Sequence, residues 1–164
     1  MKHAYTYILS ILVFTMAGQR VKSSAYDMLL QGLLSHTVKE VSVEDLKKMP
    51  GAQLLDSREA EEYKVSRISG ATHVGYDDFD KTALKKLDKS KPVVVYCSVG
   101  YRSEKIAEKL EKEGFTKVYN LYGGIFEWVN QDNPVYNSKG KTNDIHPYSW
   151  LWGQWLSKGN KTTK

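Results

Sequence analysis

The stretch that decides the fold is residues 93–103, Val-Val-Val-Tyr-Cys-Ser-Val-Gly-Tyr-Arg-Ser. Its first four residues form a continuous apolar run, which is typical of a strand buried on both faces of a parallel sheet. From Arg102 to Glu113 apolar side chains recur on one face of a predicted helix, and Gly114 is suited to end it. The stretch therefore predicts a strand, a short loop and a helix, with Cys97 where the strand ends.

On both sides of this unit, short strands and short helices alternate along the chain. Strands are predicted from residue 41, over 53–56, 71–74 and 117–119, and helices over 26–34, 43–49, 58–65, 77–79, 81–87 and 125–129. This alternation predicts an α/β protein with an open parallel sheet covered by helices on both faces. Sites in such sheets lie at the carboxyl ends of the strands, which is the position of Cys97.

The loop after the central strand combines groups that activate a thiol. Its backbone N–H groups and the first helical turn can converge on the Cys97 sulfur, and their positive field favours the thiolate. Gly100 permits an unusual backbone conformation, Arg102 adds a cation and Ser103 adds a hydroxyl. These groups predict a nucleophile facing an oxyanion pocket. The alternative is a buried, inert cysteine that closes a core strand, and the glycine, arginine and serine that follow favour function.

The first 25 residues differ from the rest. Lys2 and His3 precede an apolar run over residues 4–17, and small residues follow up to Ala25. This order is typical of a secretory signal peptide, with cleavage expected after Ala25. It predicts an exported protein, periplasmic or secreted, without stable membrane insertion after cleavage. An uncleaved anchor and a buried first helix are the alternatives. Cys97 is the only cysteine, so the exported chain has no internal disulfide.

The charge of the chain does not predict nucleic-acid binding. Without residues 1–25 the sequence has 21 Lys and Arg against 19 Asp and Glu, so most of the net charge of +5 belongs to the signal segment. The histidines do not pair with a second ligand at metal-like spacing, so we expect neither a metal nor a cofactor.

Several motifs, in the same order, resemble those of rhodanese-like domains. The resemblance extends from about Val41 to Val135 and implies an open five-stranded parallel sheet. It divides the chain into a signal peptide (1–25), an N-terminal helix or linker (26–40), the rhodanese-like domain (41–135) and an aromatic-rich C-terminal extension (136–164). The motifs are Leu54-Leu55-Asp56-Ser57-Arg58 with Glu62-Tyr63, Ile68-Ser69-Gly70-Ala71, residues 95–103, and Leu121-Tyr122-Gly123-Gly124-Ile125 with Trp128.

The resemblance also implies a sulfurtransferase activity. Cys97 would take a sulfane sulfur from a small anionic donor such as thiosulfate, and its persulfide would pass that sulfur to cyanide or a thiol. Asp56 and Arg58 would support the site, with Arg58 in a structural ion pair. Ser66-Arg67-Ile68 stands where the family often has Gly-His-Ile. The residues implied in substrate binding are Ser98, Val99, Gly100, Tyr101, Arg102 and Ser103.

Three other classes of function remain open, and one of them, a thiol-redox protein, would need an outside thiol because the sequence has no resolving cysteine. Cysteine phosphatases and arsenate reductases of related folds have five residues between cysteine and arginine, whereas four stand between Cys97 and Arg102, a ring that suits a single sulfur atom. A non-catalytic binding or regulatory module is the third class, although such modules typically lack the cysteine. Three of the four tryptophans, at 150, 152 and 155, lie in the C-terminal extension. They would pack on the domain, fold over the active-site face or bind a protein partner.

Overall fold

The computed structural model describes residues 20–163, so most of the predicted signal peptide lies outside the described residues. A five-stranded parallel sheet forms the centre of the protein, with the strands in the order β1-β5-β4-β2-β3. This sheet, with helices on both faces, confirms the predicted α/β class. The strands are β1 (Glu40–Val41), β2 (Gln53–Asp56), β3 (Thr72–His73), β4 (Val93–Tyr96) and β5 (Val118–Leu121).

Strand β4 lies at the middle of the sheet, between β2 and β5. All four of its residues are fully buried, as the continuous apolar run predicts. Val94 and Tyr96 belong to one core cluster, and Val93 and Val95 belong to the cluster on the other face. Because both faces of β4 are covered, its carboxyl end holds Cys97 at a fixed position.

The helices are α1 (Ser24–Leu33), α2 (Val43–Lys47), α3 (Ala60–Val65), α4 (Tyr101–Lys112) and α5 (Gly124–Asn130), with a 3₁₀ helix at Lys81–Lys86. Helices α1, α2 and α5 contribute to one core cluster, whereas α4 and the 3₁₀ helix contribute to the other. Ser42 caps α2 by accepting a hydrogen bond from the N–H of Asp45 at 3.1 Å. None of the helices within residues 20–163 has the length and apolar character needed to cross a membrane.

Residues 77 and 78 form a turn and residue 79 has no regular structure, so the helix predicted there is wrong. The chain folds back over this segment, and the N–H of Asp80 donates to the carbonyl of Val74 at 2.8 Å. Gly75 takes a left-handed backbone conformation with φ of 69° at the start of the turn. The backbone bond that closes this segment replaces the i to i−4 bonds that a helix would need.

The residues just before α1 are packed into the domain. Val21 is only 1% exposed. The Arg20 guanidinium lies 3.8 Å from the centre of the Tyr122 ring and forms an ion pair with Glu40. Ser23 caps α1 through its hydroxyl. The predicted cleavage site after Ala25 therefore falls in the first turn of α1, behind residues that belong to the fold.

The C-terminal extension folds against the domain. It contains a hairpin of β6 (Val135–Asn137) and β7 (Gly140–Thr142), a parallel pair of β8 (Asp144–Ile145) and β9 (Asn160–Lys161), and a 3₁₀ helix at Trp152–Trp155. Arg67 and Tyr136 exchange backbone hydrogen bonds at 2.8 and 2.9 Å. Trp155 stacks on Tyr26 of α1 with ring centres 5.4 Å apart, whereas Trp150 is 79% exposed.

Candidate active site

Cys97 follows directly on β4 and is 1% exposed. The N–H of Gly100 points at its sulfur, with nitrogen and sulfur 3.1 Å apart. Gly100 has a φ of 123°, a conformation that favours glycine, and it immediately precedes α4. In the first turn of α4, the N–H of Glu104 donates a hydrogen bond to the carbonyl of Gly100 at 3.1 Å. The positive end of the α4 dipole therefore lies beside the sulfur.

The carbonyl groups of the loop are held away from the sulfur by α5. The N–H of Ile125 donates to the Cys97 carbonyl at 2.9 Å, and the N–H of Phe126 donates to the Ser98 carbonyl at 3.1 Å. A Cβ atom at Gly124 would lie only 2.4 Å from the Cys97 carbonyl oxygen. The second glycine of the Gly123-Gly124 pair thus allows the close approach that fixes the loop.

Arg102 is engaged by a buried carboxylate. Its Nη1 and Nη2 donate to the two carboxylate oxygens of Glu62 at 2.7 and 2.8 Å, and Glu62 is 2% exposed. The Ser98 hydroxyl donates to the same carboxylate at 2.9 Å. Arg102 therefore fixes the loop and has most of its charge compensated, whereas the sequence predicts a cation available to the donor. Glu62 was not among the predicted site residues.

Charge interactions link this ion pair to the thiol. Burial by itself lowers the pKa of Arg102, but the hydrogen bonds to Glu62 and the negative charge of Cys97 outweigh it and raise the pKa. For the carboxyl group of Glu62 burial acts in the opposite direction and raises the pKa, but the hydrogen bonds and charge of Arg102 outweigh burial, so the pKa of Glu62 is lowered. Both partners are therefore ionised at neutral pH.

Ser103 faces the interior of the protein. Its hydroxyl donates to Oδ1 of Asn120 at 2.7 Å, and the Asn120 side-chain amide donates to the Gly100 carbonyl at 3.0 Å. The prediction that this hydroxyl binds the donor is therefore not supported by its position. Instead, Ser103 and Asn120 tie the end of the loop to β5.

Asp56 and Arg58 form a buried ion pair in which neither side chain is exposed to solvent. Nε and Nη2 of Arg58 donate to the two Asp56 oxygens at 2.9 and 2.6 Å, and Nη2 also donates to the Ser66 carbonyl at 2.6 Å. The pair ties the end of β2 to the end of α3. This geometry agrees with the predicted structural role of Arg58, which lies too deep to contact a substrate.

A cavity of about 190 Å³ opens beside the sulfur. The structure places five predicted residues around it, and Leu33 of α1 with Tyr148 and Trp152 of the extension completes its wall. Leu33 and Tyr148 were not among the predicted site residues, whereas Trp152 belongs to the tryptophans for which a place over the active-site face was one of the expectations. Within residues 20–163, no cluster of three or more His, Cys, Asp and Glu side chains is arranged to hold a metal. The predicted lining residues are Cys97, Ser98, Val99, Tyr101 and Arg102.

The sequence model of the rhodanese-like domain family matches residues 41–131, which is more than half of the chain. The chain therefore belongs to the rhodanese-like domain family. The match begins after Leu33 and ends before Tyr148 and Trp152, so three of the residues that line the cavity come from outside the matched range.

The relatives found by comparison with known proteins include two whose names concern sulfur. The chain is 34% identical over 84 residues to the thiosulfate sulfurtransferase GlpE of Coxiella burnetii, covering 51% of this chain and 78% of GlpE. It is 31% identical over 99 residues to the putative sulfur carrier protein YrkF of Bacillus subtilis, covering 58% of this chain. The chain spans 53% of the length of YrkF. A crystal structure of a Bacillus halodurans protein matches with a TM-score of 0.56 at 28% identity, over 71% of this chain and 86% of that chain.

Proposed function

We propose that the protein is a sulfurtransferase that carries sulfane sulfur as a persulfide on Cys97. The observation that carries the proposal is the placement of a single buried thiol at the end of the central strand, with the Gly100 N–H 3.1 Å from its sulfur. The N-terminus of α4 lies beside it and supplies further N–H groups for a negative outer sulfur.

The reaction has two steps. The Cys97 thiolate attacks the outer sulfur of thiosulfate, the S–S bond of the donor breaks, and sulfite leaves with the bonding electron pair. Cyanide or a thiolate then attacks the outer sulfur of the persulfide, which forms thiocyanate or a new persulfide and returns the Cys97 thiolate. Gly100 and the first turn of α4 stabilise the negative sulfur in both forms of the enzyme.

The phosphatase alternative is less well supported by the loop. Four residues between Cys97 and Arg102 form a small ring, and two nitrogens of Arg102 donate to Glu62, whose charge compensates the cation that a tetrahedral oxyanion would need. The non-catalytic alternative is less well supported because the cysteine is present and the sulfur borders a cavity.

The experiment supplies thiosulfate and cyanide to the purified protein and measures thiocyanate, with a phosphate ester as the competing substrate and Cys97→Ser as the inactive control. After treatment with thiosulfate alone, mass spectrometry of the wild type should show one added sulfur atom at Cys97. Phosphate release without thiocyanate, or thiocyanate formation by Cys97→Ser, would contradict the proposal.

We also propose that the protein is exported, to the periplasm or outside the cell. We propose that its signal peptide is cleaved before residue 23, and not after Ala25 as the small residues at 23–25 predict. Val21 is buried and Ser23 caps α1, so a chain that begins at Tyr26 would lose both contacts. Thr15-Met16-Ala17 is another small-x-small sequence at the end of the apolar run. The intact mass of the exported protein should correspond to a first residue of Gly18, and a mass that corresponds to Tyr26 would contradict this position.

A further inference from the structure

The C-terminal extension builds a fixed wall beside the reactive sulfur. The ring centre of Tyr148 lies 4.7 Å from the Arg102 guanidinium carbon, and Trp152 lines the same cavity. Tyr148 has a φ of 62°, a left-handed conformation that is unfavourable for a non-glycine residue. Its N–H donates to Nδ1 of His146 at 3.0 Å. Surrounding contacts thus hold the Tyr148 ring in a strained position over the site.

The wall is apolar, and within residues 20–163 the one cation that lines the cavity, Arg102, is neutralised by Glu62. Arg102 is the only cation among the described residues that line the cavity, and Glu62 binds it with both carboxylate oxygens. The apolar lining comes from Leu33, Val99 and the two aromatic rings of the extension. An anionic donor therefore finds the Gly100 N–H at the sulfur, but its remaining atoms meet apolar side chains rather than a second cation.

We propose that this cavity selects donors in which the atom bonded to the sulfane sulfur carries an apolar organic group, with Tyr148 and Trp152 as specificity-determining residues. The proposal rests on the proposed persulfide chemistry of Cys97. The class comprises organic thiosulfonates and organic persulfides. A volume of about 190 Å³ accommodates an apolar group the size of a phenyl ring.

With an organic thiosulfonate the first step balances as it does for thiosulfate. The Cys97 thiolate attacks the sulfane sulfur, the sulfur–sulfur bond of the donor breaks, and the organic sulfinate leaves with the electron pair. Cyanide then removes the outer sulfur as thiocyanate and returns the thiolate. The apolar group of the donor lies in the cavity only during the first step, so selectivity appears in kcat/KM for the donor.

The test compares benzenethiosulfonate with methanethiosulfonate as donors, with cyanide as the acceptor. The ratio of their kcat/KM values is measured in the wild type and in variants, so the intrinsic reactivity of each donor cancels between proteins. In Trp152→Ala we expect the ratio to fall about tenfold, which corresponds to about 1.4 kcal/mol and to the loss of about 60 Å² of apolar contact. Trp150→Ala is the matched control, because Trp150 is 79% exposed and does not line the cavity.

A second variant keeps the test decisive if Trp152→Ala does not fold. Tyr148→Gly removes a ring that is 50% exposed and replaces it with the residue best suited to a φ of 62°. We expect its donor ratio to fall several-fold as well. A ratio that stays at the wild-type value in the folded variants overturns the selectivity while leaving the proposed function intact. Failure of the wild type to form thiocyanate from any donor, thiosulfate included, would instead overturn the proposed function and the selectivity that rests on it.

Discussion

Replacing Glu62 by Gln removes the charge that holds the cysteine loop while it keeps the shape of the side chain. Glu62 is 2% exposed, and its carboxylate accepts two hydrogen bonds from Arg102 and one from Ser98, at 2.7–2.9 Å. Removing one partner of a buried ion pair costs about 3–5 kcal/mol, because the other charge is left uncompensated. The Arg102 side chain is 11% exposed, so we expect the lower end, about 3 kcal/mol.

Urea unfolding at 25 °C measures this loss, and thermal unfolding should show a decrease in Tm of roughly 9 °C. Glu61→Gln is the matched control, because Glu61 is the exposed neighbour in the same helix and should change stability by no more than about 0.5 kcal/mol. The double variant with Arg102→Met should lose less than the sum of the two single losses. Equal stability of the Glu62 and Glu61 variants would refute the reasoning.

The stability difference between the wild type and Glu62→Gln should depend on pH, and the lowered pKa of Glu62 sets the direction. Although burial raises the pKa of Glu62, Arg102 outweighs it and holds the pKa below the ordinary value of 4.5. A carboxyl with a lowered pKa in the folded state contributes stability above its unfolded pKa, and this contribution is lost as the pH falls through the folded pKa. The stability difference between wild type and Glu62→Gln should therefore be complete at neutral pH and shrink below about pH 4.5. A difference that stays constant on acidification would contradict this assignment.

Three further substitutions test how the loop is supported. Gly124→Ala places a Cβ 2.4 Å from the Cys97 carbonyl oxygen. This variant should lose about 3 kcal/mol of unfolding free energy and most of its persulfide formation. Gly51→Ala is the control, because Gly51 has a similar φ but open space around it, and it should lose only about 1 kcal/mol. Asp56→Asn leaves the buried Arg58 charge uncompensated and should lower the free energy of unfolding by about 3–5 kcal/mol in urea titrations. Ser103→Ala should lose about 1–2 kcal/mol of stability, because it removes a buried hydrogen bond to Asn120. Mass spectrometry should still detect its persulfide, since the Ser103 hydroxyl faces the interior. Complete loss of the persulfide would show that the hydroxyl contacts the donor.

Most of the secondary structure follows from local patterns. The apolar run over 93–96 predicts the buried strand, and the amphipathic pattern from Arg102 predicts α4, which begins one residue earlier. Ser42 predicts the start of α2 because a serine side chain can satisfy the first free N–H groups of a helix. The helix expected at 77–79 is wrong because its pattern is short, and the backbone closure between Val74 and Asp80 decides its shape.

The support of the site depends on contacts between distant parts of the chain. Glu62 and Arg102 are 40 positions apart, and they meet only because β2 lies beside β4 and places α3 next to the loop. Ser103 turns inward because Asn120 on the neighbouring strand accepts its hydrogen bond. Neither partner can be identified from spacing along the chain.

By itself, the sequence determined the strand, loop and helix around Cys97, because periodicity, glycine placement and helix formation act over a few neighbouring residues. Only the tertiary structure decided what surrounds the sulfur. It paired Arg102 with Glu62, turned Ser103 away, and brought Leu33, Tyr148 and Trp152 to the cavity from both ends of the chain. The physical reason is that burial and pairing of side chains depend on which elements pack together, and long-range packing, rather than local pattern, sets the charge and shape of the site.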